Sequence, residues 1–244
     1  MGVTIDELTV ADEASAWAEL GFAVEGDTCA VGGVRIRLAG REAGKGLIGW
    51  SLRGVDGANA GGPDSSAGEI DLDGLPTTRS ERPPPDDAAA YPDGITAPDA
   101  RPGSVPASGA HPNGIAALDH VVAISSDLDR TVAVLQAAGL DLRRVREEPT
   151  PAGAPRQAFF RLGAEILEVV QAPPEAIERT GGDKPAFFWG LAFVAPNLDA
   201  TVAQLGEHAS EARDAVQPGR RIATLRRSAG LALPVALMTP RLRP

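Results

Sequence analysis

A nine-residue stretch occurs twice in this chain, 70 residues apart, and this repeat constrains the fold more than any other feature. Residues 127–135 read DLDRTVAVL and residues 197–205 read NLDATVAQL, with six identities in nine positions. The strand-like segments before them, 118–125 and 188–195, also correspond. Duplication of a unit that cannot bury its own sheet predicts two copies that pack together.

Each copy has the pattern of a strand, a helix and three further strands. In residues 114–173, an aliphatic strand precedes Ser126, which is typical of a helix N-cap, and the helix is predicted to run to about Ala138 before Gly139. Short β-branched and aliphatic runs then predict the three strands 140–146, 157–162 and 165–171. Residues 185–240 repeat this order.

His120 and Glu168 are two titratable residues on otherwise apolar strand faces. Because alternate side chains of a strand share a face, His120 points the same way as Val122, and Glu168 the same way as Ile166. Neutral imidazole and carboxylate are ordinary ligands of Zn, Ni, Mn or Fe, so the pair is a candidate site for one divalent metal. The alternative is a metal-free pair that satisfies itself in the core or touches a ligand.

Three further residues are candidates for ligand binding. A two-residue turn at Gly163 and Ala164 would place Phe159 opposite Glu168, so that Gln157 and Phe159 share the Glu168 side of the sheet. Trp189, in the second copy, would suit the lining of a cleft. The alternatives are a water-facing edge position for Gln157 and a core position for either aromatic residue.

The N-terminal residues 1–56 are predicted to form a shortened module. Their pattern gives a strand over 3–10, a helix over 14–20, a hairpin around Gly32 and Gly33, and one further strand over 47–55. About 55 residues are too few for confident independent stability, so this segment is expected to pack on the rest.

Residues 57–113 are predicted to be a linker. They contain 10 of the 21 prolines and 8 of the 28 glycines, and such a composition cannot bury enough apolar surface to offset the entropy of ordering. The alternative is a lid or a docking segment, helped by the apolar residues Ile70, Leu72 and Leu75.

Charge and composition restrict the partners. A net charge of -10 argues against a general nucleic-acid or anionic-membrane surface, which leaves small molecules or proteins. The one cysteine, Cys29, cannot form an internal disulfide, and no apolar stretch of about 18 residues is visible, so the cytoplasm is the expected location. A homodimer is an open alternative, since a second chain could supply metal ligands.

The duplicated pattern and the opening Leu118-Asp119-His120-Val121-Val122 resemble the vicinal oxygen chelate superfamily, which includes glyoxalases, bleomycin-resistance proteins and extradiol dioxygenases. The resemblance implies an α+β fold in which paired strand-helix-three-strand modules form a cupped mixed sheet around a metal or ligand site. It also implies that His120 and Glu168 occupy ligand positions of one module. The second module departs from the pattern, because Gly190 stands where the histidine would be and residues 231–240 contain no His, Asp, Glu or Cys.

Three functions follow from these observations. The first is a glyoxalase-like protein that binds a small molecule in the cupped sheet, with a degenerate metal site. The second is a metal-dependent lyase, isomerase or dioxygenase that uses His120 and Glu168. The third is an interaction protein that uses the segment 57–113.

Overall fold

A computed structural model describes residues 2–55, 68–83, 111–149, 153 and 156–241. The strands within these residues are β1 (Thr4–Val10), β2 (Val24–Glu25), β3 (Thr28–Val31), β4 (Val34–Leu38), β5 (Leu47–Arg53), β6 (Glu69–Leu72), β7 (Leu75–Arg79), β8 (Ala117–Ser125), β9 (Asp141–Arg146), β10 (Gln157–Leu162), β11 (Glu165–Gln171), β12 (Phe187–Val194), β13 (Arg213–Asp214), β14 (Arg221–Thr224) and β15 (Val235–Met238). The helices are α1 (Ala14–Glu19), α2 (Leu128–Ala137), α3 (Pro174–Arg179) and α4 (Leu198–Leu205), with short 3-10 helices at Arg41–Ala43, Gly206–His208 and Arg227–Ala229.

The strands form two mixed sheets. One has seven strands in the order β2-β3-β4-β1-β5-β7-β6, and the other has eight in the order β13-β14-β15-β12-β8-β11-β10-β9. The first strand of a module pairs in parallel with its last strand, as β8 does with β11, β12 with β15 and β5 with β7. The remaining described pairings within the modules are antiparallel hairpins. The α+β class built from strand-helix-three-strand modules is confirmed.

The N-terminal part differs from the prediction in where the shortened module lies. Strands β1 to β4 with α1 make a complete set of four strands and a helix. Strand β5, predicted as an extra strand after that module, is present, pairs in parallel with β7 and begins a second module of three described strands. The shortened module is therefore formed by β5, β6 and β7.

The predicted linker 57–113 is corrected over two stretches. Strands β6 and β7 form a hairpin whose Ile70, Leu72 and Leu75 side chains are buried. Its two-residue turn has positive φ at Asp73 (57°) and Gly74 (87°), the conformation for which an Asp-Gly pair is favoured. The range was predicted to be a linker from its overall Pro and Gly content, and the local Asp-Gly turn was not recognised. The second stretch is 111–113, which is described and buries His111 and Asn113, and the remaining parts of the range, 57–67 and 84–110, lie outside the described residues.

The duplicated helices begin and pack in the same way. The Asp127 side chain caps α2 by accepting from Arg130 N at 3.0 Å, and the Asn197 side chain caps α4 by accepting from Ala200 N at 3.2 Å. Both helices bury the same three positions, which are Leu128, Thr131 and Leu135 in α2 and Leu198, Thr201 and Leu205 in α4. The predicted cap at Ser126 is wrong by one residue, because the Ser126 hydroxyl donates to Lys184 O at 2.6 Å and the Asp127 side chain caps the helix.

The chain divides into two compact units. The first draws its described residues from Met1–Leu8, Leu47–Pro83 and His120–Gly190. Its core includes Trp50, whose ring meets Phe188 edge-on at 5.1 Å between centroids. The second draws from Thr9–Gly46, Pro84–Asp119 and Leu191–Pro244, and an aromatic cluster of Trp17, Phe22 and Phe193 lies in its core. None of the helices in the described part of the chain is long and apolar enough to cross a membrane.

His111 is a buried histidine in the core of the second unit. Its Nδ1 accepts a hydrogen bond from Ala23 N at 2.9 Å, and its Nε2 lies 4.0 Å from Cys29 Sγ. Burial lowers the pKa of His111 below its usual value, and burial raises the pKa of the Cys29 thiol to about 12. Both groups are therefore held in their neutral forms. Neither has the character of a reactive site.

We expect the free energy of unfolding to fall as the pH drops below 6.5, the ordinary pKa of histidine. Because folding lowers the pKa of His111, the unfolded chain binds this proton more tightly than the folded chain does. The stabilising contribution is therefore fully present above the pKa of the unfolded state and is lost as the pH falls toward the pKa of the folded state. Urea midpoints at about pH 7.5 and about pH 5.5 measure the effect. His111→Asn keeps an acceptor for Ala23 and should reduce the pH dependence. An unchanged dependence in that variant would contradict the assignment.

Candidate functional site

One side of strands β9, β10, β11 and β8 carries the sequence-predicted site. Glu168 lies opposite Phe159 on β10, as predicted from the turn at Gly163, and opposite Val122 on β8. Gln157 pairs with Val170 and His120 pairs with Ile166, which are the residues two positions after and two positions before Glu168 on β11. Both side chains are therefore diagonal neighbours of Glu168 on the same face. We call this surface the Glu168 face, defined by His120, Val122, Ile124, Gln157, Phe159, Ile166, Glu168 and Val170.

Glu168 is the centre of a small polar cluster. The Gln157 amide donates a hydrogen bond to Glu168 Oε1. His120 Nε2 lies 3.6 Å from Glu168 Oε2, which is too long for a direct hydrogen bond but within ion-pair distance when the imidazole is protonated. The His120 and Glu168 side chains are 13% and 15% exposed. The cluster is thus enclosed by protein but still reaches solvent.

The two sides of these strands differ in burial. Residues that alternate with the Glu168 face, such as Val121, Phe160 and Leu167, are fully buried. Every residue of the Glu168 face itself keeps partial exposure. The apolar members of the face therefore surround a carboxylate that solvent still reaches.

Four of the five predicted site residues come together. His120, Glu168, Gln157 and Phe159 lie on one face, and the first three are in contact or near contact. Trp189 lies apart from them on β12, in the other duplicated module, and is 49% exposed. Its role in ligand binding stays a prediction.

The described donors do not fit a resident divalent metal. Zinc sites normally use three or four protein ligands, and His120 and Glu168 provide two. One oxygen of Glu168 already accepts from the Gln157 amide. Among the described residues, no group of three or more His, Cys, Asp or Glu is placed to hold a metal ion.

The sequence interpretation missed the residues that border this face on the edge strand β9. Arg144 lies opposite Phe159 and Arg146 lies opposite Gln157 in the antiparallel β9–β10 pair. A bulge follows this part of the pair, where the register shifts between Phe159 and Phe160. The signal available in the sequence was the concentration of arginine at positions 143, 144 and 146, within a chain of net negative charge.

Comparison with solved structures identifies the architecture. A xylose isomerase-like TIM barrel/4-hydroxyphenylpyruvate dioxygenase fusion protein matches 99% of this chain with a TM-score of 0.60 and 13% identity, and the match covers 49% of that protein. The chain has the vicinal oxygen chelate fold. Two further structures match about half of it. Methylmalonyl-CoA epimerase from Mycobacterium tuberculosis is 19% identical, and the match covers 53% of this chain and 91% of that chain with a TM-score of 0.44. A variant of the Streptomyces coelicolor methylmalonyl-CoA epimerase in complex with 2-nitronate-propionyl-CoA is 22% identical, and the match covers 51% of this chain and 94% of that chain with a TM-score of 0.42.

No protein-family model matches the sequence, and no curated protein matches it. The likeness is thus one of architecture. In vicinal oxygen chelate terms, β8 and β11 are the first and last strands of the third module along the chain, and they carry His120 and Glu168. These are the strands from which the resemblance implied that ligands come.

Proposed function

We propose that this vicinal oxygen chelate protein binds a small molecule on the Glu168 face and that its metal site is degenerate. The observation that carries the proposal is the position of Glu168. A carboxylate that is 15% exposed stands among Val122, Phe159, Ile166 and Val170 on the open side of the sheet. Burying a charge among apolar groups is costly unless it has a use or a partner.

The partners of Glu168 support a binding role. Gln157 fixes one carboxylate oxygen, and His120 lies 3.6 Å from the other. A carboxylate has about four lone-pair sites, so Glu168 can also accept a hydrogen bond from a bound molecule while Gln157 keeps it oriented. The apolar neighbours supply area for the body of the ligand, which is the usual division of labour in small-molecule sites.

The neutral fluorescent dye phenylnaphthylamine tests small-molecule binding, because it combines an apolar body with one N–H donor. We expect it to bind the wild-type chain, and Phe159→Ala to weaken binding about tenfold through lost apolar contact area. Val216→Ala is the matched control, since Val216 is 60% exposed and lies outside the Glu168 face. Equal affinities in wild type and both variants would refute a site on this face.

Thermal melts of wild type, His120→Ala and Glu168→Ala, with and without Zn, Ni, Mn and Fe(II), test the degenerate metal site. We expect no metal-dependent rise in the melting temperature of any form, because two donors hold such ions weakly. Without metal, Glu168→Ala should lose about 1–3 kcal/mol, because it leaves the Gln157 amide without its acceptor. His120→Ala should lose less, since 3.6 Å to Glu168 is too long for a direct hydrogen bond. A rise in wild type that both variants lose would instead support the metal-dependent enzyme.

A further inference from the structure

Arginines are concentrated along the outer edge of the Glu168 face. Arg144 and Arg146 on β9 flank Phe159 and Gln157, and Arg161 lies two residues beyond Phe159 on the same side of β10. The whole chain has a net charge of -10. Three arginines therefore lie beside this partly exposed apolar surface, in a molecule whose average charge is negative.

The three guanidinium groups differ in how many hydrogen bonds or ion pairs they form with other side chains and with the backbone. Arg161 donates from Nε to Gly163 O at 2.9 Å. Arg146 Nε lies 3.8 Å from Glu148, whose side chain is 75% exposed and weakly held. Arg144 is exposed, and none of the described residues forms a hydrogen bond or ion pair with it. Arg144 and Arg146 thus retain donors for an incoming anion.

Protection of the sheet edge is the competing explanation for charged residues on β9, since charges on an edge strand prevent pairing with other chains. That explanation suits Arg143, which lies at the bulge and contacts Asp141 at 3.2 Å. It does not account for the placement of Arg144 and Arg146 directly across from two members of the Glu168 face. A planar guanidinium there matches a carboxylate, sulfonate or phosphate.

We propose that the ligand of the Glu168 face is an organic anion, with its apolar body over Phe159 and Ile166 and its anionic group against Arg144 and Arg146. This inference rests on the proposed small-molecule function. Adjacent strands are about 4.8 Å apart, so β9 and β11 are separated by roughly 10 Å. A molecule of one or two fused rings therefore spans from the arginines to the carboxylate of Glu168.

Two dyes with the same ring system separate charge from apolar contact. Anilinonaphthalene sulfonate carries a sulfonate that phenylnaphthylamine lacks, and both keep the N–H donor. We expect the sulfonate dye to bind the wild-type chain about tenfold more tightly. Arg144→Gln and Arg146→Gln should each weaken the sulfonate dye about threefold to tenfold and leave the neutral dye unchanged. Added salt should weaken only the sulfonate dye.

Arg143→Gln is the control, because it removes the same charge from the same strand at the bulge. It should change both affinities by less than about twofold. Naphthaleneacetate and naphthyl phosphate then compete with the bound dye, and the stronger competitor identifies the anion as a carboxylate or a phosphate. Circular dichroism of each variant confirms that it is folded.

The outcomes distinguish this inference from the proposed function. Binding of the neutral dye with no preference for the sulfonate, or equal effects of Arg143→Gln and Arg144→Gln, overturns the organic-anion inference alone. Failure of both dyes to bind overturns the small-molecule function and this inference with it.

Discussion

Replacing Asp119 by Ala should destabilise the protein by about 3–5 kcal/mol, a large fraction of the about 5–15 kcal/mol that holds a typical domain folded. Asp119 lies on β8 next to His120 but on the opposite side of the strand. Its carboxylate accepts two hydrogen bonds from Arg220, at 2.8 and 3.3 Å. The two side chains are 4% and 5% exposed, so the variant leaves a buried guanidinium without its counter-charge.

Guanidinium chloride denaturation measures the loss, and a double-mutant cycle assigns it. Arg220→Met removes the buried charge, so the double variant with Asp119→Ala should be at least about 2 kcal/mol more stable than the sum of the single losses predicts. Asp141→Ala is the surface control, because its partner Arg143 is 58% exposed, and it should cost less than about 1 kcal/mol. Equal losses of unfolding free energy for Asp119→Ala and Asp141→Ala would show that the buried ion pair stabilises the protein no more than the exposed one.

Local pattern and duplication were sufficient to predict the modules. The repeated stretch at 127–135 and 197–205 predicted matching buried faces, and α2 and α4 bury the same three positions. The two-residue turn at Gly163 fixed the register that sets Phe159 opposite Glu168. In both cases the information lies within a few residues of the feature that it determines, which is why one sequence is enough.

Features that depend on distant residues could not be predicted in this way. Asp119 and Arg220 are 101 residues apart, and nothing in either local pattern marks them as partners. The place of Arg144 beside the Glu168 face depends on the β9–β10 register and on a bulge in that pair. No turn residues in the sequence predict this bulge. The Glu168 face was thus predicted at its centre, through alternation on β8 and β11, and missed at its edge.

The hairpin of β6 and β7 shows a third kind of failure, in which composition outweighed a local signal. Asp73 and Gly74 form a hairpin turn within a range dominated by Pro, Gly and Ser. In the structure the Asp73 side chain accepts from Arg130 Nε at 2.8 Å and from the Thr131 hydroxyl, and Ala186 N donates to Asp73 O at 2.7 Å. The hairpin is therefore bonded to α2 and to the segment before β12 inside the first unit.

Gly74→Ala tests whether this hairpin is an integral part of the first unit. A Cβ on Gly74 would lie 2.3 Å from Cβ of Pro185 and 3.0 Å from Ala186 O, and φ at this position is +87°. The variant therefore combines backbone strain with a steric clash, and we expect a loss of about 2–4 kcal/mol in urea denaturation.

Gly181→Ala isolates the clash, because φ is +88° at Gly181 and no atom lies within 4 Å of its added Cβ. It should cost only the strain, about 1 kcal/mol. If Gly74→Ala loses no more free energy of unfolding than Gly181→Ala, the hairpin does not pack against Pro185. The interpretation of this segment as a linker would then stand. A clear excess places β6 and β7 in the core that supports α2, and through α2 the strands that carry His120 and Glu168.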